Sequence, residues 1–387
     1  MSLLSYIMVN IISTLLRFLP LSSKTGLIRL GNPGRHSPVL LTANYVLTVS
    51  RVKRALTGMN AFLLVANSKG INVWCAATGG HLTAHEVISA LKTTGIEQLV
   101  DHRKVILPQL AATGIEAAMV KEKSGWQVVW GPVYARDIPA FLRAGCQKTR
   151  DMRQVEFPWK QRLEMVVAWA FPISIIPGVV MVSFWPKAAA MLVSLVWSLY
   201  LLIFICFPVY SHWLSSKGKR VGFIFFDFGH GGLQLVLWGI AMVGLVIYSI
   251  LTGDHSWAFL LRWAFISLVL VLVVSLDLMG STPVYKSGLH EDRWLGIFLD
   301  EAKCRGVGFC EQVCPRNCYE MDLDRHKVIL LGPGQCVQCG ACIVQCPFDA
   351  LYFRSPKGDI VSPETTRKFK LNLMGKRLVR VKDIDNS

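Results

Sequence analysis

Cys336, Cys339, Cys342 and Cys346, with Pro347 directly after the last, are the residues of this chain whose spacing most narrowly fixes a chemistry. A thiolate at every third position wraps one short loop around an iron–sulfur cube, and the proline ends the loop and turns it away. Structural zinc asks for two separated cysteine pairs, and a disulfide framework for a small secreted chain, so neither accounts for this run.

A second run lies upstream: Cys304, Cys310, Cys314-Pro315 and Cys318. Laid on the bacterial ferredoxin spacing C-x2-C-x2-C-x3-C-P, it fills three positions and carries Val307 at the second cysteine. In two-cluster ferredoxins the cysteine before each proline serves the other cluster. Cys314 therefore joins Cys336, Cys339 and Cys342 in a complete 4Fe-4S set. Cys346 joins Cys304 and Cys310. Either Cys318 supplies the missing ligand there, giving a second 4Fe-4S cluster, or the site stays one ligand short and holds a 3Fe-4S cluster. Such clusters imply a low-potential electron donor as partner.

The elements around this ferredoxin are unusually apolar. Over 387 residues the chain is 52% hydrophobic, has twelve tryptophans and a positive mean hydropathy. Four stretches of about twenty apolar residues read as membrane spans: 163–184, 188–210, 232–251 and 257–278. Pro172 and Pro177 predict a kink in the first. The short apolar stretch 221–228, interrupted by Asp227 and followed by His230, reads as interfacial or re-entrant. Lys217, Lys219 and Arg220 concentrate positive charge in one short loop, which the positive-inside rule places in the cytoplasm. An even number of spans then puts both termini there. The expectation is a multi-pass inner-membrane protein with its soluble domains cytoplasmic.

The first 85 residues contain no acid and eight Lys or Arg. Leu4, Ile7, Met8, Ile11, Ile12 and Leu15 fall on one helical stripe, with Ser5, Asn10, Ser13 and Arg17 opposite. This predicts a helix lying on membrane lipid; a signal peptide would begin with a basic segment that is missing. The net charge of +16 fits attraction to anionic lipid. No nucleic-acid motif accompanies it, so no nucleic-acid partner is expected.

Between these parts, residues 38–145 read as a soluble α/β domain. Buried strands are expected at 38–41, 62–66, 71–76, 105–107 and 128–130, and helices at 44–56, 85–93 and 137–144. Thr83-Ala84-His85-Glu86 is a capping box that starts a helix. Just before it, residues 72–81 read as a strand running into small residues, which let a flat ligand approach the backbone. Taken alone, Cys75 is either a small buried hydrophobe or a ligand. His81 and His85 read as a loop and a surface histidine rather than a metal pair.

The run Asn72-Val73-Trp74-Cys75-Ala76-Ala77 resembles the motif of the HgcA family, the corrinoid protein of bacterial mercury methylation. That family is itself similar to the corrinoid iron–sulfur protein of the acetyl-CoA pathway. The likeness continues through Asp101-His102-Arg103, Leu107-Pro108-Gln109-Leu110, Gly131-Pro132-Val133, Asp137-Ile138-Pro139-Ala140-Phe141 and Gly280-Ser281-Thr282-Pro283. The C-terminal part is similar to that family's separate partner, an HgcB-like two-cluster ferredoxin, here fused. The resemblance implies a cobalamin-type corrinoid with Cys75 as lower axial ligand to cobalt, seated by Asn72, Val73, Trp74, Ala76 and Ala77. It also implies a methyl-donor carrier or methyltransferase as partner, and a ferredoxin that keeps the cobalt reduced. Two features depart from it. The motif continues with glycine-lysine where this chain has Thr78-Gly79-Gly80, and the tail 347–387 lacks the cysteines that could receive mercury.

The expected organisation is an amphipathic surface helix at 1–22, a Rossmann-like α/β corrinoid-binding domain at 23–158, a four-helix transmembrane region at 159–282, and an α+β bacterial-type ferredoxin domain with its tail at 283–387. The expected activity is that of a corrinoid-dependent methyltransferase with an unassigned acceptor. Mercury methylation and non-catalytic membrane electron transfer are the alternatives.

Overall fold

The structure is a computed structural model that describes residues 3–211, 232–253, 256–281, 295–355 and 357–369, with no side chains for 232–234 and 274–281. The basic loop at 217–220, the apolar stretch 221–228, Thr282-Pro283 and the tail beyond 369 lie outside the described residues. Two compact units emerge. One joins Met1–Ser13, Leu19–Val155 and Leu295–Ser387; the other joins Thr14–Phe18 and Glu156–Trp294.

The first unit is built on a five-stranded sheet: β1 (Gly26–Leu30), β2 (Val39–Ala43), β3 (Ala61–Ala66), β4 (Lys104–Leu107) and β5 (Gln127–Trp130), in the order β1-β3-β2-β4-β5. All are parallel except the edge strand β1, which runs antiparallel to β3. Every residue of β2 and β3 is buried, as continuous apolar runs in a sheet covered on both faces require. Alternation along the strands sorts them. Val39, Leu41, Phe62 and Leu64 face one core, shared with Val87 and Leu91 of α4 (Ala84–Thr93) and Val120 of α5 (Ala117–Ser124). Leu40, Leu63 and Val65 face the other, with Val49 and Val52 of α2 (Val46–Ala55) and Phe141 of α6 (Ile138–Arg143).

The strand expected at 71–76 is a helix, α3 (Val73–Thr78). Asn72 stops the chain in an extended conformation, and its Oδ1 accepts the Cys75 N–H at 3.0 Å. A satisfied N-cap followed by two alanines favours a helical turn, and β1 and β2 already flank β3, leaving the segment no strand to pair with.

The helix α1 (Leu3–Leu15) turns its polar side inward: Asn10 Oδ1 accepts from Arg51, the Ser13 carbonyl accepts from Tyr45, and Arg54 lies over the Tyr6 ring. Leu4, Ile7, Met8, Ile11 and Ile12 stay exposed on the opposite side.

The ferredoxin portion of this unit has a three-stranded sheet of β6 (Gly296–Leu299), β9 (Leu351–Arg354) and β10 (Ile360–Val361), in the order β10-β9-β6, and a hairpin of β7 (Tyr319–Asp322) and β8 (Lys327–Leu330). Two short helices, α13 (Phe309–Val313) and α14 (Ala341–Gln345), carry cysteines, and α15 (Pro363–Phe369) follows the sheet.

In the second unit α8 (Trp159–Val182) runs as one helix through both Pro172 and Pro177. It packs on α9 (Pro186–Ile205) around Val166, Ala170, Tyr200 and Phe204. The expected second span breaks at Cys206, where Pro208 starts the separate turn α10 (Phe207–Tyr210). The helices α11 (Gly232–Thr252) and α12 (Trp257–Ser281) complete the unit. Among the described residues α8, α9 and a stretch of α11 are long and apolar enough to cross a membrane; α12 is described with side chains only to Val273. Val179, Val180, Val236, Leu261 and Phe265 remain exposed, as lipid-facing positions would be.

Between the α/β domain and the first span lies α7 (Arg150–Arg153), capped by Thr149.

Candidate functional site

The cysteines gather into two sets. Cys304, Cys310 and Cys346 line one cavity of about 330 Å³. Cys314, Cys336, Cys339 and Cys342 line a second of about 290 Å³, and Cys318 lines it with them. No disulfide joins any of them. Among the described residues no three Cys, His, Asp or Glu side chains converge on a single ion. The thiols stand around a void instead, which suits a multi-iron cluster. Their surroundings also demand charge compensation: burial pushes Cys310 up to about 12 and raises Cys339 and Cys342 well above the ordinary thiol range. Iron offsets that cost when it takes thiolate ligands.

The crossover expected from the two prolines is present, since Cys314 and Cys346 each line the cavity of the other run. Cys318 is not where substitution for Val307 would need it. Its backbone N–H donates to Cys314 Sγ at 3.3 Å, and its side chain lies on the complete set. The four-residue turn through Pro315 is too tight to carry it across. Spacing missed one further contact: the buried Tyr319 hydroxyl donates to Cys342 Sγ at 3.1 Å.

In the α/β domain Cys75 is exposed and Asn72 and Trp74 are half-buried, so these three can meet a ligand. Val73, Ala76 and Ala77 are buried and face the core. The two alanines thus serve the seat from behind, by letting α3 sit close to the 3-10 turn Gln109–Thr113 and the Gly114 that follows it. A methyl group at Gly114 would lie 2.4 Å from the Ala77 carbonyl oxygen. At Gly79, where the resembling motif has lysine, a Cβ would lie 2.7 Å from the Cys75 carbonyl oxygen. An exposed soft thiol on a capped turn, backed by small residues, is chemically suited to hold a soft metal centre such as the cobalt of a corrinoid, were one bound. His85 is exposed beside Glu86. Burial alone would raise the Glu86 carboxyl. The Thr83 hydroxyl and amide that complete the capping box outweigh it and hold the carboxyl below its usual range.

The two sites share one core. The turn Gln109–Thr113 packs against both α3 and α14. Val313 and Ala341, one from each cysteine-bearing helix, are buried in the same cluster as Ala76 and Leu82, and Cys339 packs against it. Gln345, between Cys342 and Cys346, donates to the carbonyls of Ala112 at 2.8 Å and Ile115 at 2.7 Å and accepts from Ala117 N–H. Lys148 donates to Gln109 Oε1, the Gly131 carbonyl and the Gln312 carbonyl at 2.8, 3.2 and 2.7 Å. Arg153 pairs with Glu311 at 2.9 Å. Lys148 and Arg153 belong to no motif, and Gln345 and Glu311 are only spacers within the cysteine runs, so their three-dimensional placement reveals this role.

Residues 13–142 match the family described as CO dehydrogenase/acetyl-CoA synthase delta subunit, and residues 303–350 match the 4Fe-4S dicluster domain. The acetyl-CoA decarbonylase/synthase complex subunit gamma of Archaeoglobus fulgidus is 35% identical over 125 residues, covering 32% of this chain and 26% of that protein. The subunit gamma of Methanopyrus kandleri is 34% identical over 125 residues, 32% of this chain and 27% of that one. That of Methanocaldococcus jannaschii is 34% identical over 131 residues, 33% and 26% respectively. The match thus spans about a quarter of the length of these relatives. What the comparisons identify is a domain similar to part of an acetyl-CoA decarbonylase/synthase subunit, joined in one chain to a 4Fe-4S dicluster domain.

Proposed function

We propose that this protein is a membrane-anchored corrinoid methyl carrier with a built-in ferredoxin that keeps its cobalt reduced. The observation that carries the reading is the shared core: the two cysteine-bearing helices, α13 and α14, pack against the turn that supports α3 and Cys75. A bound corrinoid supplies a cobalt centre able to accept a methyl group and pass it on. Cys75 would hold that cobalt from below, with Asn72 fixing the turn and Trp74 flanking it. Gln345, Lys148 and Arg153 hold the ferredoxin portion in place, so electrons need no diffusional encounter between separate proteins.

The exposed stripe of α1 and the apolar helices of the second unit serve as the lipid anchor, with the corrinoid and ferredoxin domains on the cytoplasmic side of the inner membrane. The methyl donor is a carrier or methyltransferase docking over Cys75. The relatives' place in a multisubunit complex supports such a partner. The acceptor is one other than mercury. Delivering a soft Hg(II) ion asks for thiolates, and once the seven cluster cysteines and Cys75 are assigned, Cys146, Cys206 and the fully buried Cys318 remain. Gly79 also lacks the positive charge of the resembling motif.

Cobalt analysis and the ultraviolet–visible spectrum of anaerobically purified protein test the reading. We expect about one corrinoid per chain and a changed cobalt spectrum in Cys75→Ala with the fold retained, because the side chain is exposed and packs into no core. Protein free of cobalt would instead be a membrane electron-transfer subunit. Methylmercury formed from Hg(II) well above the Cys75→Ala control would replace the acceptor assignment with mercury methylation.

A further inference from the structure

We propose that the Cys304, Cys310 and Cys346 site binds its cluster through three cysteines, leaving one corner without a protein ligand, so that the oxidised protein holds a three-iron cluster there. This rests on the cluster-binding half of the proposed function and is independent of the corrinoid half.

The argument comes from an internal repeat that the fold makes visible. Each residue of the first run has its counterpart 32 positions on: Cys304 and Cys336, Cys310 and Cys342, Cys314 and Cys346. The backbone repeats with them. Gly308 and Gly340 start α13 and α14 with the same φ of 73°. After the prolines, Asn317 and Asp349 take left-handed φ values of 49° and 52°. In this register Val307 stands where the second half has the ligand Cys339, and Cys318 stands where it has Ala350. Ala350 is 2% exposed and Cys318 is 1% exposed. Each closes its own cavity from behind the proline turn, Ala350 the three-cysteine one and Cys318 the complete one. Cys318 is thus the equivalent of a wall residue, not a displaced ligand.

Among the described residues no other side chain fills the gap. Apart from its three cysteines, the cavity is lined by apolar residues, glycines and Arg305, none of which offers a sulfur, carboxylate, imidazole or hydroxyl. The open corner also faces outward: Val307 is 43% exposed, and Phe309 and Phe348, 40% and 44% exposed, lie at the same cavity. A ligand in its usual place holds the fourth iron, and without one that iron is lost in preference to the three held by thiolate. The two sites are therefore unlike. They differ in ligand number, and in the exposure of the residues that line them. Cluster type is one determinant of potential, so the two clusters would differ in potential.

The test is electron paramagnetic resonance and iron analysis of the full chain in detergent, reconstituted anaerobically and then oxidised. Wild type should show the near-isotropic resonance of an oxidised three-iron cluster. Val307→Cys, handled identically, should lose it and gain about one iron per chain, which separates a missing ligand from oxidative damage to a complete cluster. Cys318→Ser should keep the wild-type resonance. A wild type with two four-iron clusters and no such resonance overturns the proposal, as does a resonance that first appears in Cys318→Ser or one that persists in Val307→Cys. Protein that binds no cluster at all, with no iron–sulfur absorption in any variant, overturns the cluster-binding reading itself.

Discussion

A few side chains with no catalytic atom of their own decide whether the two sites can work. Gly114 is one, because α3 can approach its supporting turn only where no Cβ intrudes on the Ala77 carbonyl. Gly114→Ala should cost about 1–3 kcal/mol, the usual penalty of forcing extra volume into a packed interior, and should weaken corrinoid retention because the Cys75 turn is displaced. Thermal unfolding and cobalt content measured together separate that outcome from a purely local loss. Tyr319 is another. Its hydroxyl donates to Cys342 Sγ inside the complete set, and a hydrogen bond to a ligand sulfur favours the reduced cluster. Tyr319→Phe should therefore shift the midpoint of that cluster to a more negative potential while leaving the iron count unchanged, as a redox titration followed by paramagnetic resonance will show.

At the scale of elements, the seam between α14 and the turn Gln109–Thr113 is made by polar groups that are fully used. Gln345→Ala would strip the carbonyls of Ala112 and Ile115 of their donor, at about 1–3 kcal/mol for each buried group left unpaired. Faster amide hydrogen exchange across both α14 and residues 109–117, with the sheet protected as before, is the expected result. Lys148 adds a pH dependence. Burial, and then the nearby Arg153, pull its ammonium down from 10.5 to about 7. Between those values the unfolded chain binds the proton and the folded one does not, so stability rises with pH across that window and the penalty is full below it. Denaturant unfolding should gain on the order of 2 kcal/mol between about pH 6.5 and about pH 8.5, a slope that Lys148→Met should lack.

For the whole molecule, the decisive prediction is topological. If the chain has four spans with the basic loop inside, both soluble portions lie in the cytoplasm, where thiols stay reduced. Reporter fusions after Ser216 and at the C-terminus should read cytoplasmic, and one at Gly253 external. A C-terminal fusion read as external would defeat the four-span arrangement, since the α/β and ferredoxin portions belong to one compact unit.

The sequence by itself determined whatever depends on local spacing or on long apolar runs. The cysteine–proline runs implied the crossover of Cys314 and Cys346, the buried runs at 39–43 and 61–66 became central strands, and the capping box at Thr83 starts α4. It left undecided what depends on neighbours distant along the chain. Residues 72–78 are apolar enough for a strand, and only the sheet's filled order together with the Asn72 cap makes them a helix. Ala77 turns inward for the same reason, because a helix carries it to the side away from Cys75, where a strand would leave both on one face. Counting residues left open whether Cys318 completes the three-cysteine set, and after the left-handed turn at Asn317 it lines the other cavity instead. The docking of the ferredoxin portion was beyond the reach of sequence altogether: Gln345 and Lys148 are ordinary residues in composition, and their bonds to Ala112, Ile115, Gly131 and Gln312 exist only once the sheet has brought those carbonyls to one surface.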